Sequence, residues 1–173
     1  MQQDFINAYF TQSGLGWAML GAAVVVALGC IGSARGIRIA AAQGAGLMSE
    51  KPELFGRFLV LMAMPGTQGF YALITAILIA MWTGLAEGNL TIPPLTGFAI
   101  FAVATGTGFV LMWSATFQGE TSAACLNMVS RQPDTAGRAI ILPALVETYA
   151  LVGLLSAIIL LLFLTQGIVG AGA

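Results

Sequence analysis

The 173-residue chain has little charge and no histidine. Charged residues make up 8% of it and hydrophobic residues 58%. A soluble domain carries about 25% charged residues, and a small water-soluble surface wants roughly a quarter to a third of its residues ionised. A soluble globular enzyme is therefore excluded. Disorder is excluded as well, because it needs low hydrophobicity together with high charge. Without histidine there is no imidazole metal site, haem ligation or Ser-His catalysis. A net charge of −1 gives no footprint for nucleic acid. The two cysteines, Cys30 and Cys125, both sit inside apolar runs and read as small buried hydrophobes rather than as a disulfide. The segment Met1 to Gly14 has no basic stretch ahead of the first apolar run, so no cleaved signal peptide is expected.

What is present is apolar length. A membrane span needs about 20 apolar residues, so a chain of this size holds about four. The first run goes from about Leu15 to Met48 and the second from about Leu54 to Thr83. A turn-rich connection, Gly84 to Pro93, leads to the third run, about Pro94 to Val129. The fourth covers about Thr135 to Gln166. Sliding the chain by 81 positions lays Ser49, Pro52, Gly56 and Arg57 on Ser130, Pro133, Gly137 and Arg138. The same shift lays Gly16-Trp17-Ala18 on Gly97-Phe98-Ala99. The chain is therefore expected to be an all-α membrane protein of two tandem helical hairpins, residues 1–88 and 89–173. Each hairpin has two spans, so both enter the membrane the same way. They are parallel repeats, unlike the inverted repeats common in alternating-access transporters.

All six basic residues, Arg35, Arg38, Lys51, Arg57, Arg131 and Arg138, lie near the first-to-second and third-to-fourth turns. The positive-inside rule places both turns in the cytoplasm and both termini outside. The first run also carries Gly29, Gly32 and Gly36 at helical spacing, and the third carries Gly97, Gly106 and Gly108. Small residues let helix backbones approach closely in lipid. They predict either ordinary tight bundle packing or a narrow inner wall made by the first and third helices.

Most acids mark edges: Asp4, Glu50, Glu53, Glu87 and Asp134. Glu147 does not, being followed by an unbroken apolar stretch. An ionised carboxylate at that depth costs several kcal/mol without a partner, and an intramembrane acid is a functional-site candidate by default. A protonated glutamate bonding helices together is the structural alternative. Glu147 is nine residues past Arg138, or about 14 Å along a helix. The same count from Arg57 reaches Gly66-Thr67-Gln68, and counting back from Ser130 reaches Gln118. Met64, Thr67 and Gln68 share one helix face, and Pro65 disturbs the turn before it. Oxygen donors without sulfur or imidazole suit a hard cation. One carboxylate neutralises one positive charge, so Na⁺, Li⁺ or H⁺ fits better than Ca²⁺ or Mg²⁺. Two amides and a hydroxyl tilt that choice to Na⁺.

The duplicated hairpin, Pro65-Gly-Thr-Gln-Gly69, Phe117-Gln-Gly119 and Val146-Glu-Thr-Tyr149 together resemble the proteolipid rotor-ring subunit of V-type and archaeal-type ATPases, and most closely its bacterial Na⁺-transporting form. The resemblance runs from about residue 14 to 166. It implies that Glu147 carries the ion, that Thr67, Gln68 and Gln118 are side-chain ligands, and that the Met64 carbonyl is a further ligand. The family commonly has leucine at that last position, a change a main-chain ligand tolerates. Tyr71 occupies the place of a tyrosine that hydrogen-bonds the glutamate when the site is closed. The resemblance further implies a ring of identical subunits in the bacterial inner membrane, with the first and third helices inside. It implies a stator subunit that supplies an arginine, central-stalk subunits, surrounding lipid, and no catalytic step in this chain itself.

In the 81-residue register Glu147 faces Gly66, so one ion per chain is expected. Rival readings are the same rotor carrying H⁺, a gap-forming proteolipid channel, and a stand-alone four-helix transporter or membrane enzyme. Glu120, the second acid within an apolar run, lies about 200° round the helix from Gln118. It is expected either at the headgroups without a role or facing the ring lumen or a neighbouring protomer.

Overall fold

Pro52 and Pro133, 81 positions apart, each open a single 3-10 turn, Pro52–Leu54 and Pro133–Thr135. In this computed structural model, which describes residues 7–85, 88 and 91–169, those turns sit at corresponding corners of two hairpins. The residues ahead of them, Lys51 and Gln132, share nearly one backbone conformation (φ −135° in both, ψ 67° and 80°). Proline at the first helical position is pre-set for the turn and gives up only an N–H that would be orphaned there. Asp4, Glu87 and part of the connection between the hairpins lie outside the described residues. Within that connection Gly84 and Gly88 take positive φ, which glycine adopts without steric cost.

Helix α1 is Leu15–Glu50, preceded by a short π-helical turn, Asn7–Gln12. Helix α2 runs from Pro52 to Trp82 and is not continuous. Its segments Phe55–Ala63 and Thr67–Trp82 flank a 3-10 turn at Met64–Gly66. Pro65 causes that break, since it has no N–H for the helical ladder and its ring crowds the preceding turn. Helix α3 is Pro94–Arg131. Helix α4 comprises the turn at Pro133–Thr135, then Ala136–Ala139, then Ile141–Val169. It is interrupted at Ile140, three residues before its own proline, Pro143. All four are long and apolar enough to cross a membrane.

The α1–α3 contact is made by backbone against backbone. A Cβ added to Gly32 would lie 2.5 Å from the Met112 Cα, and one on Gly36 2.3 Å from the Ala115 carbonyl oxygen. A Cβ on Gly119 would meet the Gly36 carbonyl oxygen at 2.4 Å, and one on Gly97 the Gly14 carbonyl oxygen at 2.1 Å. No larger residue fits these points, so the glycines set how near the two helices lie. This close approach is what both sequence readings of these glycines, tight bundle packing and a narrow inner wall, require. Gly106 does not belong to it, having nothing within 4 Å of a built Cβ.

Helices α2 and α4 pack against one side of this pair. The Cβ position of Gly29 meets Ala72 of α2, and that of Gly153 meets Val110 of α3. Cys125 is buried, but Cys30 is exposed and both thiols are free. The expectation of a buried Cys30 fails because Gly29 and Gly32 occupy the contact faces, which turns Cys30 outward.

Two apolar clusters form the interior. One contains Leu15, Ala72, Ile100, Leu111, Ala150 and Leu161. The other, toward the hairpin turns, contains Leu54, Phe58, Leu61, Leu126, Val129 and Ala139. A thin polar layer separates them.

Candidate ion-binding site

That layer is built where α2 breaks. With Pro65 in place the helix turn Met64–Gly66 is 3-10, and the Met64 carbonyl oxygen accepts the Thr67 N–H while keeping a second lone pair for side chains. Thr67 Oγ1 donates to the Met64 carbonyl oxygen or to Gln68 Oε1, each at 3.3 Å. Gln68 and Gln118 are fully buried. Gln68 Nε2 donates to Gln118 Oε1 at 2.6 Å, which links α2 to α3. Gln118 Nε2 in turn donates to Glu147 Oε2 at 3.2 Å, which links α3 to α4. Tyr71 Oη donates to the other carboxylate oxygen, Glu147 Oε1, at 2.7 Å.

The arrangement is a relay of donors that ends on one carboxylate. All six residues singled out in the sequence, Met64, Thr67, Gln68, Tyr71, Gln118 and Glu147, are joined in one hydrogen-bonded network across three helices. Hydrogen bonds to an ionised acceptor are shorter and about twice as strong as neutral ones. Closely packed apolar clusters above and below keep water from competing, which raises the worth of each bond.

The donor set suits a hard, singly charged cation. It offers the Met64 carbonyl, the Thr67 hydroxyl, the amide oxygens of Gln68 and Gln118, and the Glu147 carboxylate. Two oxygens 3.3 Å apart, such as Thr67 Oγ1 and the Met64 carbonyl oxygen, can share one ion between them. Among the described residues no group of three or more acidic, histidine or cysteine side chains is assembled. A divalent ion would therefore keep an uncompensated charge in the apolar interior.

Ser33 of α1 has a part that sequence reasoning missed. Its hydroxyl accepts from the Gly69 N–H at 2.8 Å and donates to the Gly66 carbonyl oxygen at 3.3 Å. It thus satisfies both sides of the break in α2 from a neighbouring helix. The available signal was a lone hydroxyl among Gly29, Gly32 and Gly36, on the face that allows close approach.

Glu120 stands apart from this layer. It is exposed on α3, and no hydrogen bond or ion pair joins it to another described residue.

Comparison with known proteins gives a twofold match. The family model for the C subunit of ATP synthase fits residues 20–79 and again 101–160, an offset of 81 at each end. The chain is 32% identical over 149 residues to V-type sodium ATPase subunit K of Enterococcus hirae, covering 86% of this chain and 92% of that protein. It is 35% identical over 152 residues to A-type ATP synthase subunit K of Methanocaldococcus jannaschii, covering 88% of this chain and 64% of that one.

Proposed function

This chain belongs to the ATP synthase C-subunit family, and on that premise we propose that it is a Na⁺-carrying rotor subunit of a V/A-type ATPase. It carries one Na⁺ per chain at Glu147, held also by Thr67, Gln68, Gln118 and the Met64 carbonyl. The single observation that carries this reading is the chain of hydrogen bonds that ties the oxygen-bearing groups of Met64, Thr67, Gln68 and Gln118 to one half-buried carboxylate between two apolar clusters. A bare carboxylate moving through lipid is costly. Bound Na⁺ removes that cost, and Tyr71 holds the loaded carboxylate in the closed arrangement.

Identical copies form a ring, with α1 and α3 as the inner wall and α2 and α4 outside. The apolar outward side chains of α4, among them Leu145, Val152, Leu155, Ile159 and Phe163, suit that contact with lipid. Both hairpin turns face the cytoplasm and both termini face outside, in a bacterial inner membrane. At the stator, a fixed positive group, an arginine, tolerates the empty Glu147 for the moment between ion release and reloading. Central-stalk subunits connect the ring to a soluble head. Each Na⁺ that crosses is worth about 2.3 kcal/mol per 100 mV of membrane potential, and several per turn couple to ATP hydrolysis or synthesis. The chain itself takes no catalytic step.

Carbodiimide modification of Glu147, with and without Na⁺ at fixed neutral pH, tests the reading. Na⁺ is expected to protect the carboxylate. Labelling that Na⁺ leaves unchanged, and that falls only as rising pH removes the carboxyl proton, would identify a proton rotor instead.

A further inference from the structure

Glu120 and Arg38 are both exposed, oppositely charged and unpartnered among the described residues, and helical geometry puts them on opposite flanks at one depth. The depth follows from the glycine wall. Gly36 of α1 and Gly119 of α3 face each other, since a Cβ on Gly119 would lie 2.4 Å from the Gly36 carbonyl oxygen. Arg38 is two residues past Gly36 and Glu120 one past Gly119. Both helices run in the same direction, so the two charges differ in height by about one residue, or about 1.5 Å.

The headings follow from helical geometry. On α3 the face toward α1 carries Gly108, and Glu120 lies about 120° round from it. On α1 the face toward α3 carries Gly32, and Arg38 lies about 120° round in the opposite sense. Helices α2 and α4 cover the outer side of this pair, so both charges turn toward the inner side and toward the two free flanks. Within one chain they diverge. Between copies placed side by side about an axis normal to the membrane, α3 of one stands next to α1 of the next. There the two side chains converge at equal depth.

We propose that Glu120 of one copy pairs with Arg38 of the next, forming a belt of ion pairs on the inner wall of the ring. The inference rests on the ring reading above and adds the residues that join one copy to the next. Electrostatics favours it, because an exposed carboxylate two residues from the Gln118 level lies in a largely apolar wall, where an unpaired charge is expensive. No other acid shares this flank of α3. Shape favours it as well. Beside Glu120 the same flank carries a groove of ≈ 490 Å³ lined by Phe109, Val110, Trp113, Phe117, Val146 and Tyr149, among others. The exposed flank of α1 offers small residues opposite it, Ala23, Ala27 and Ala34. Arg35 fits less well, since it lies one turn nearer the opposite membrane face and only about 60° from the α3-facing side.

The test uses the full chain in membranes, with Cys30→Ser and Cys125→Ser as background. Glu120→Cys combined with Arg38→Cys is treated with a bis-maleimide linker long enough to bridge the span of a Glu–Arg pair, which a direct disulfide cannot do, and run on a denaturing gel. A ladder of covalent multimers is expected from the double variant and from neither single one. Intact mass in mild detergent is measured in parallel. A ring that assembles but gives no ladder overturns this pairing and leaves the rotor reading standing. A monomer or dimer in the parent protein overturns both. A ladder only from Glu120→Cys with Arg35→Cys overturns the assignment of Arg38. Charge reversal supplies a second readout. Glu120→Arg or Arg38→Glu alone is expected to lower the temperature at which the ring dissociates in detergent, and the two together to restore at least half of that shift. A double reversal no better than the worse single one overturns the pairing.

Discussion

Tyr71 and Glu147 lie 76 residues apart in the chain, yet the phenol oxygen donates to the carboxylate at 2.7 Å. The bond crosses from α2 to α4, so it reports whether these two helices are drawn together over the site. Removing it while keeping the ring is a direct probe of closure. Tyr71→Phe loses one hydrogen bond to a charged acceptor, worth about 1.5–3 kcal/mol. The concentration of Na⁺ that half-protects Glu147 from carbodiimide is expected to rise about tenfold or more. An unchanged midpoint would remove Tyr71 from the site.

Glu147→Gln keeps the shape of the side chain and removes its charge. Ring mass in mild detergent is expected to stay the same, because the other members of the polar layer remain. Na⁺-protected carbodiimide labelling and Na⁺-dependent ATPase coupling are expected to vanish. Retained coupling would mean that the ion pathway does not run through this residue, as a purely structural proteolipid requires.

Among the described residues Gln118 is the one side chain bonded to both α2 and α4 partners. Gln118→Leu preserves volume but leaves the Gln68 amide and one Glu147 oxygen without their partner. Burying such unsatisfied groups costs about 1–3 kcal/mol each. The expected outcome is a Na⁺ midpoint raised by at least about tenfold, with Glu147 labelling in the absence of Na⁺ still present. Loss of labelling as well would point to collapse of the site rather than loss of a ligand.

Ser33→Ala removes two hydrogen bonds that brace the break in α2 without touching any proposed ligand. A net loss of about 1–2 kcal/mol of stability is expected. It should be read as a lower unfolding temperature in detergent and a weaker Na⁺ midpoint together. A change in neither would show that Pro65 and the neighbouring side chains hold the turn by themselves.

The glycine wall is testable by size. Gly36→Val places a branched side chain where even a Cβ would lie 2.3 Å from the Ala115 carbonyl oxygen. The folded protein is expected to be lost from the membrane fraction. Gly46→Ala, where a Cβ meets nothing within 4 Å, is expected to be silent. Equal effects of the two would contradict the close approach of α1 and α3.

The four spans, their pairing into two hairpins and the isolation of Glu147 were legible because apolar length, an 81-residue self-match and a lone deep acid are one-dimensional signals. The grouping of Thr67, Gln68 and Gln118 with Glu147 was legible from depth alone, since helices convert residue counts into height. Orientation about each helix axis was less accessible. Cys30 sits in an apolar run yet faces outward, because Gly29 and Gly32 rather than Cys30 take the contacts. Ser33 looked like one more small residue, and its role appears only once α2 breaks beside it. Even the break has two forms. Pro65 yields a 3-10 turn at the proline itself, whereas Pro143 disturbs α4 three residues earlier, at Ile140.

The two hairpin turns are laced to each other. Lys51 Nζ donates to the Ser130 carbonyl oxygen, and Arg57 donates to the Pro133 carbonyl oxygen at 2.6 Å. Basic residues that first served to set orientation thus also act as crossed struts between one turn and the other. Sideways force applied to either corner is shared by both. Each chain presents its foot as one stiff tread rather than two independent pegs, and a stack of such treads around a circle resists shear between hairpins. For a rotor subunit, that stiffness limits how much of any applied twist is lost as flexing within the protomer.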